Sequence, residues 1–342
     1  VKKLRQCVSV LEKRGLVQKR DVWRAILPQA IADRLAADAL KYVSYGSIER
    51  QIVAQDPSVS DELRLLRSFS RRLGYLHGSE EAREIVGQWL SPDGLLGVAP
   101  ESDRWSLYTE LLNNVAPVDP KRALEVVEHL VGNGSADVVI ERYKSSIGAG
   151  FLEGYRKGGD PNIMLAAYKE DESLRKGRDR VITLIRSIAY YEDLFGRCLD
   201  VLLKFAVAEE KGRLIFERQG PACEILESMF FVVLSGTLAK TGLRLKWLDD
   251  ALRGSDEAVR SIACRCLSNA LESQGFSSFY NFDFGARERD SGWRPSKEEK
   301  RDWYAKFIDL AVKVGVDSSH ASEEVRGVLA RKFGALWLAG MT

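Results

Sequence analysis

Basic side chains that can bind phosphate groups or an acidic protein surface are concentrated at the N-terminus of this 342-residue chain. Residues 1–24 hold eight Lys or Arg against two acids, although the whole chain has a net charge of only +2. The cluster comprises Lys13, Arg14, Lys19, Arg20 and Arg24. Such a group suits both the sugar-phosphate backbone of a nucleic acid and an acidic protein face. We predict a docking or nucleic-acid patch here, with nucleic acid the weaker alternative.

A second group of arginines lies among aromatic and acidic residues between positions 284 and 295. The candidate partner-binding residues are Arg287, Arg289, Trp293 and Arg294. Tryptophan and arginine often dominate protein interfaces, and arginine also binds carboxylates and phosphates through two hydrogen bonds. The same arginines can instead pair with Glu288 and Asp290 inside an ordered loop. The sequence leaves both interpretations open, partner recognition and a locally paired loop.

Residue patterns typical of catalysis or of metal binding are sparse. The three histidines are isolated from one another and from any cysteine pair. Cys264 and Cys266 lie two positions apart on a predicted helix, so they point to different faces and are expected to be core thiols. The segment Gly148–Gly154 is one residue too long for a dinucleotide-binding motif, and the sequence has no P-loop. We predict that this chain is not itself an enzyme and holds no metal or cofactor.

The composition is that of a globular protein, with 45% hydrophobic and 29% charged residues. The sequence has no run of 18 apolar residues and no apolar segment after its basic start, which argues against a membrane span and a signal peptide. Five cysteines without a paired pattern fit a reducing compartment. We therefore predict a cytoplasmic protein that does not contact a membrane.

The first 42 residues predict the order helix, hairpin, helix. An amphipathic run ends at Gly15, two short extended segments follow around residues 19–21, and Pro28 opens the next helix. That helix is expected to bury Ile31, Leu35 and Leu40. The order is that of the C-terminal part of a winged-helix domain, with the hairpin as its wing.

Beyond residue 42, apolar residues recur every three or four positions, which predicts amphipathic helices. Residues 43–131 form a first helical half and residues 180–342 a second helical-repeat half. Residues 132–179 contain eight of the 28 glycines, so we predict an irregular linker or insertion between the halves.

A weak internal sequence similarity suggests repeated helices in these two halves. Ser79, Ser255 and Ser322 each precede two acids, then one or two apolar residues (Ala, Val or both) and an arginine. Each serine is predicted to cap the N-terminus of a helix. The predicted fold is all-α, a partial winged helix followed by a HEAT/TPR-like helical-repeat array.

Several segments together resemble one protein family. Residues 13–20 and 23–35 are similar to the winged helix that follows the ATPase core of bacterial STAND NTPases, the NLR-like, NACHT-related signalling ATPases. Further resemblance is found at Leu73–His77, Trp89–Leu96, Leu112–Pro117, Ser235–Thr237 and Phe284–Pro295. The resemblance spans most of the chain and is weakest over residues 132–179.

This resemblance implies a switch protein in which a helical array senses a trigger, usually in defence against phage. The chain would be its non-catalytic regulatory and sensor region, and ATP and Mg would bind in an NTPase domain outside it. The implied partners are that NTPase domain, a protein trigger such as a phage protein, and further copies of the full-length protein. Because the sequence begins without Met inside an amphipathic run, we expect it to be a piece of a longer protein. The alternative is a winged-helix DNA-binding protein with a helical-repeat interaction scaffold.

Overall fold

A computed structural model describes residues 2–20, 23–26, 29–53, 60–100, 104–132, 161–212, 220–277, 280–317 and 321–340. These residues are mostly helical and include one two-stranded hairpin, so the predicted all-α class is confirmed. Contacts divide the chain into two compact units. The first unit contains residues 1–98, 114–119 and 285–287, and the second contains residues 99–113, 120–284 and 288–342.

The first unit begins with the predicted helix, hairpin and helix. Its elements are α1 (Lys2–Lys13), β1 (Val17–Arg20), β2 (Trp23–Ile26), α2 (Gln29–Leu40), α3 (Tyr45–Ile48), a π-helical turn (Glu49–Val53), α4 (Ser60–Gly74) and α5 (Glu80–Trp89). The strands are antiparallel, with Val17 opposite Ile26 and Arg20 opposite Trp23. Helix α1 contacts β1, and α2 contacts β2. The predicted hairpin is therefore confirmed.

The predicted buried face of α2 is wrong. Ile31 is 45% exposed and Leu35 is 48% exposed, whereas the small residue Ala32 is buried. Helix α2 packs against β2 and α5. The helix therefore presents apolar surface that the described part of this unit leaves uncovered.

The second unit is built from long helices. Its elements are α6 (Trp105–Val115, whose last two residues belong to the first unit), α7 (Pro120–Gly132), α8 (Pro161–Ile188), α9 (Glu192–Gly212), α10 (Pro221–Ser228), α11 (Thr241–Arg253), α12 (Glu257–Ala270), α13 (Lys297–Val316) and α14 (Ser322–Leu338). Neighbours along the chain pack together as α9 with α10, α11 with α12, and α13 with α14. Helix α12 also contacts α10 and α14, and α11 contacts α13.

Apolar spacing explains these helices. The side chains at three- and four-residue spacing along α8, such as Val181, Ile185 and Ile188, are buried. The same holds in α13, where Trp303, Phe307 and the following stripe residues lie in the core. The predicted helical stripes are thus confirmed.

The predicted irregular segment at residues 132–179 is wrong for its last part. Helix α8 begins at Pro161, and residues 133–160 lie outside the described residues. Gly177, which suggested a break in the sequence, is buried inside α8, where a Cβ would lie 3.3 Å from the carbonyl oxygen of Trp105. Close packing at this position favours glycine and offsets its poor helix propensity.

Helix starts agree with the sequence in one of the three predicted cases. The Ser79 hydroxyl accepts a hydrogen bond from the Ala82 N–H at the start of α5, as predicted. At α12 the cap is Asp256 instead of Ser255, because the Asp256 carboxylate accepts the first free backbone N–H groups. Ser322 is already the first residue of α14 and makes no cap.

Candidate interaction site at two loops around buried arginines

The N-terminal basic cluster lies on α1 and the hairpin. Lys13 and Arg14 are exposed where α1 ends. Lys19 and Arg24 occupy opposite register positions on β1 and β2, and Arg20 ends β1. The side chains of these last three residues lie outside the described part of the chain. The backbone therefore places Lys13 and Arg14 where α1 ends, and Lys19, Arg20 and Arg24 on the hairpin.

Arg287 belongs to the first unit and donates hydrogen bonds to the backbone of that unit. Its Nε donates to the carbonyl oxygen of Pro117 at 2.5 Å, and its Nη2 donates to the carbonyl oxygen of Val118 at 3.4 Å. The side chain is half-buried. Burial, together with the positive charges of Arg287 and Arg83, lowers the pKa of His77 in the same unit. Arg287 thus binds the backbone of residues 117 and 118.

A fully buried arginine organises residues 229–240 of the second unit, called the Ser235 loop below. Arg244 projects from the first turn of α11 and has no exposed surface. All five guanidinium N–H groups donate hydrogen bonds, at 2.7–3.0 Å, to the carbonyl oxygens of Met229, Phe231 and Ala239 and to the Ser235 hydroxyl. Burial lowers its pKa to about 9, so it is charged at pH 7. Loop carbonyls, which would otherwise lack donors in the core, are satisfied by this one side chain.

The Ser235 loop is bonded to residues 288–295 of the same unit, called the Trp293 loop. The Gly236 N–H donates to the Ser291 carbonyl at 2.9 Å, and the Trp293 N–H donates to the Thr237 carbonyl at 2.7 Å. Gly292 has a φ of +93°, and a Cβ there would lie 2.5 Å from the Thr237 backbone. Glycine is therefore required for both conformation and close approach. The two loops form one hydrogen-bonded structure.

Arg289 in the Trp293 loop contacts the C-terminal end of α8. It donates to the Ser187 carbonyl oxygen at 2.5 Å, in the last turn of that helix. Its guanidinium lies 4.1 Å from the ring centre of Phe284 and 4.7 and 4.8 Å from those of Tyr190 and Tyr191. A cation at a helix C-terminus, surrounded by aromatic rings, is favoured by the helix dipole and by cation–π attraction. Arg289 therefore serves the packing of the second unit.

Trp293 and Arg294 differ in their exposure. Trp293 is 9% exposed, and its ring centre lies 5.8 Å from that of Trp303 in the core. Arg294 is exposed and forms an ion pair with Asp290 at 3.0 Å. Glu288, Asp290 and Arg294 together are called the outer edge of the Trp293 loop, and all three are exposed. The predicted recognition residues thus separate into buried packing residues and this charged outer edge.

The described cysteines have the environment of core thiols. Cys198, Cys223, Cys264 and Cys266 are all buried and unpaired by disulfides. Burial raises the pKa of Cys223 and of Cys264 to about 12, so both are protonated at neutral pH. A protonated thiol is a poor nucleophile and a poor metal ligand. Among the described residues no group of three or more His, Cys, Asp or Glu is placed to hold a metal ion.

Sequence reasoning missed Arg244 and Arg186, the two most deeply buried arginines of this region. The sequence does mark both residues, because each occupies a position on the apolar face of its helix where the spacing otherwise places an apolar residue. Arg244 precedes the buried Leu248 by four residues, and Arg186 follows the buried Ile182 by four residues. A cation at a core position of an amphipathic helix indicates a special role more specifically than an exposed cluster does.

Of the helices in the described ranges, none combines the length and the apolar character needed to cross a membrane.

Comparisons with known proteins assign no family or function to this chain. The site is therefore defined by its geometry: two bonded loops, two deeply buried arginines and a charged outer edge. No protein-family model, curated protein or solved structure matches the chain.

Proposed function

We propose that this chain is the regulatory and trigger-sensing region of a STAND-type NTPase that acts in the cytoplasm in defence against phage. In this proposal residues 1–42 are the C-terminal part of a winged helix that docks on the NTPase domain. The helices of the second unit are the sensor scaffold. ATP and Mg bind in the NTPase domain and the chain itself carries out no reaction.

The observation that carries the proposal is the uncovered apolar surface of the helix–hairpin–helix segment. Five large apolar side chains in this segment are at least 37% exposed: Val10, Leu16, Ile31, Leu35 and Tyr42. Apolar residues gathered in one short segment mark a surface that another protein element covers. The remaining helices of a winged helix and the adjoining NTPase domain are elements of the required kind. The basic positions of the same segment suit an acidic docking face.

The packing order of the second unit supports a sensor scaffold. Helices α11 to α14 pack as two successive pairs, and each helix also contacts its equivalent in the other pair, α11 with α13 and α12 with α14. Nearest-neighbour packing of this kind is typical of helical-repeat arrays, which present extended surfaces to protein partners. The outer edge of the Trp293 loop provides exposed charges on such a scaffold. A protein trigger is therefore the class of partner that we propose.

A test of the docking proposal is the chemical accessibility of Leu35. In a Cys7→Ser background the other cysteines are buried, so Leu35→Cys offers an accessible thiol. We expect rapid labelling by a maleimide in the isolated 342-residue chain. In the full-length protein we expect labelling to be strongly slowed, because the NTPase side covers this face.

The control is Val316→Cys, which replaces a residue that is 81% exposed on α13 of the second unit. Its labelling is expected to be equally rapid in both proteins. Equal labelling of Leu35→Cys in the isolated chain and in the full-length protein would contradict the docking role.

The same basic cluster makes DNA binding the alternative function. If the hairpin binds DNA, the logarithm of the binding constant falls linearly with the logarithm of the salt concentration, with a slope of about −0.9 for each phosphate contacted. The docking proposal predicts negligible DNA binding by the isolated chain at physiological salt. A filter-binding titration with salt separates the two functions.

A further inference from the structure

Arg186 is a buried cation with two donor atoms that have no hydrogen-bond partner among the described residues. It lies in the last turn of α8, and its side chain is 4% exposed. Its Nε and Nη2 atoms are buried and have no hydrogen-bond partner in the described part of the chain. A buried charged donor without a partner destabilises a fold, so such groups are rare unless they serve a purpose. The two buried donors of Arg186 without partners therefore suggest that this residue has a function other than packing.

The unused atoms are the two that other arginines of this chain use to bind carboxylates. Arg197 binds Glu128 through Nε at 2.8 Å and Nη2 at 2.5 Å. Arg265 likewise donates from Nε to Glu227 at 2.6 Å and from Nη2 to Glu210 at 2.9 Å. The Nε–Nη2 edge of a guanidinium matches the spacing of two oxygens of a carboxylate or a phosphate. Arg186 has this edge without such a partner.

The surroundings of Arg186 hold its guanidinium in place. The guanidinium carbon lies 3.9 Å from the ring centre of Tyr280 and 5.2 Å from that of Phe282. A Cβ at Gly236, where φ is +68°, would lie 2.6 Å from Nη1. Burial lowers the pKa of Arg186 to about 10, which leaves it charged at pH 7. The aromatic rings and the Ser235 loop therefore hold the Arg186 guanidinium as a preorganised, desolvated cation.

Arg244, about 60 residues later, shows that this fold can satisfy a buried arginine completely. All five of its N–H groups donate to partners in the Ser235 loop, which also touches Arg186 at Gly236. The two arginines share the same loop but differ in their hydrogen bonding. Burial in this fold therefore does not by itself leave an arginine without hydrogen-bond partners.

We propose that Arg186 anchors a binding site for an oxyanion, a carboxylate or phosphate group that accepts hydrogen bonds from its Nε and Nη2. Tyr280 and Phe282, whose rings flank the guanidinium, are half-buried, so in this proposal their side chains rotate to admit the ligand. Binding in a desolvated site beside aromatic rings strengthens the charged hydrogen bonds. The site does not depend on the assignment of the chain to a STAND NTPase.

The test is thermal unfolding of the purified chain in sodium phosphate and in sodium chloride at matched ionic strength and pH 7. For the wild type we expect phosphate to raise the melting temperature by about 5 °C more than chloride does, at a concentration a hundredfold above the dissociation constant. Arg186→Met is expected to lose this increment. Arg175→Met, on an exposed position of the same helix, controls for general stabilisation by phosphate and is expected to keep it.

The stability of the variants without oxyanion gives a second readout. Arg186→Met is expected to melt at or above the wild-type temperature in chloride, because it removes a buried charge without a partner. Arg186→Lys retains the charge but not the two-donor edge, and is expected to lose most of the phosphate increment. Equal phosphate increments in the wild type, Arg186→Met and Arg175→Met would overturn the proposal. A melting temperature of Arg186→Met far below that of the wild type in chloride would also overturn it, by assigning Arg186 to the packing of the fold.

Repeating the titration with sodium acetate identifies the source of the oxyanion. A specific increment with phosphate alone indicates a phosphorylated ligand. Specific increments with both acetate and phosphate indicate that an acidic side chain or chain terminus of a partner also fits. Either result, when lost in Arg186→Met, supports an oxyanion site.

Discussion

Replacing Arg244 with methionine is expected to lower the free energy of unfolding of the second unit by about 3–5 kcal/mol. The substitution keeps much of the side-chain volume but removes every hydrogen bond to the Ser235 loop. The carbonyl oxygens of Met229, Phe231 and Ala239 and the Ser235 hydroxyl would then lose donors in a buried environment. Each acceptor left unsatisfied in the core costs free energy.

Thermal denaturation followed by circular dichroism measures this effect, and a fall in melting temperature of about 10 °C is expected. The matched control is Arg253→Met on the same helix, where the exposed arginine pairs with Asp249 at 2.6 Å and Asp317 at 2.9 Å. Exposed ion pairs contribute about 1 kcal/mol or less, so the control is expected to melt close to the wild type. Equal losses in Arg244→Met and Arg253→Met would show that the Ser235 loop does not depend on Arg244.

Replacing Trp293 with alanine is expected to lower the free energy of unfolding by about 3–5 kcal/mol, the usual cost of removing a buried tryptophan ring. The ring packs against Trp303, and the guanidinium carbon of Arg244 lies 5.9 Å from the ring centre of Trp293. Its removal leaves a cavity beside the loop that Arg244 supports. Urea denaturation, with comparison of the midpoints and slopes, measures the loss.

Arg294→Glu is the matched test of the exposed outer edge. The Arg294 side chain is 73% exposed, so reversal of its charge is expected to change the free energy of unfolding by less than about 1 kcal/mol. If the outer edge binds the trigger, the full-length protein carrying Arg294→Glu loses its response while its melting temperature is unchanged. A wild-type response of Arg294→Glu would exclude this edge from recognition. Trp293→Ala is expected to lose the response only in proportion to its lost stability.

The helices were largely predictable because local patterns determine them. Apolar residues at every third or fourth position predicted amphipathic helices beyond residue 42, and the Gly15 break with two short extended segments predicted the hairpin. Glycine counting failed over the start of α8, because most of the glycines lie before Pro161 and because Gly177 packs against Trp105. A count over a long window does not distinguish a loop from a helix that has one tightly packed glycine.

The contacts of the loop arginines were not predictable from sequence spacing. Arg294 pairs with Asp290 four residues away, as local pairing predicts. Arg287 and Arg289 instead donate to the carbonyl oxygens of Pro117 and Ser187, more than 100 residues away along the chain. Carbonyl acceptors are present at every residue, so no residue type in the sequence marks them. The partners of such arginines follow only from the tertiary fold.

The proposed role as the sensor region of a STAND-type NTPase is tested most directly by ATP hydrolysis. The measurement compares the full-length protein, the same protein with alanine at the lysine of its P-loop, and the isolated 342-residue chain. We expect hydrolysis by the full-length protein alone, with a P-loop encoded upstream of Val1 within the length of one NTPase domain. The account would be contradicted by a full-length protein without a P-loop or without turnover, or by hydrolysis of ATP above background by the isolated chain.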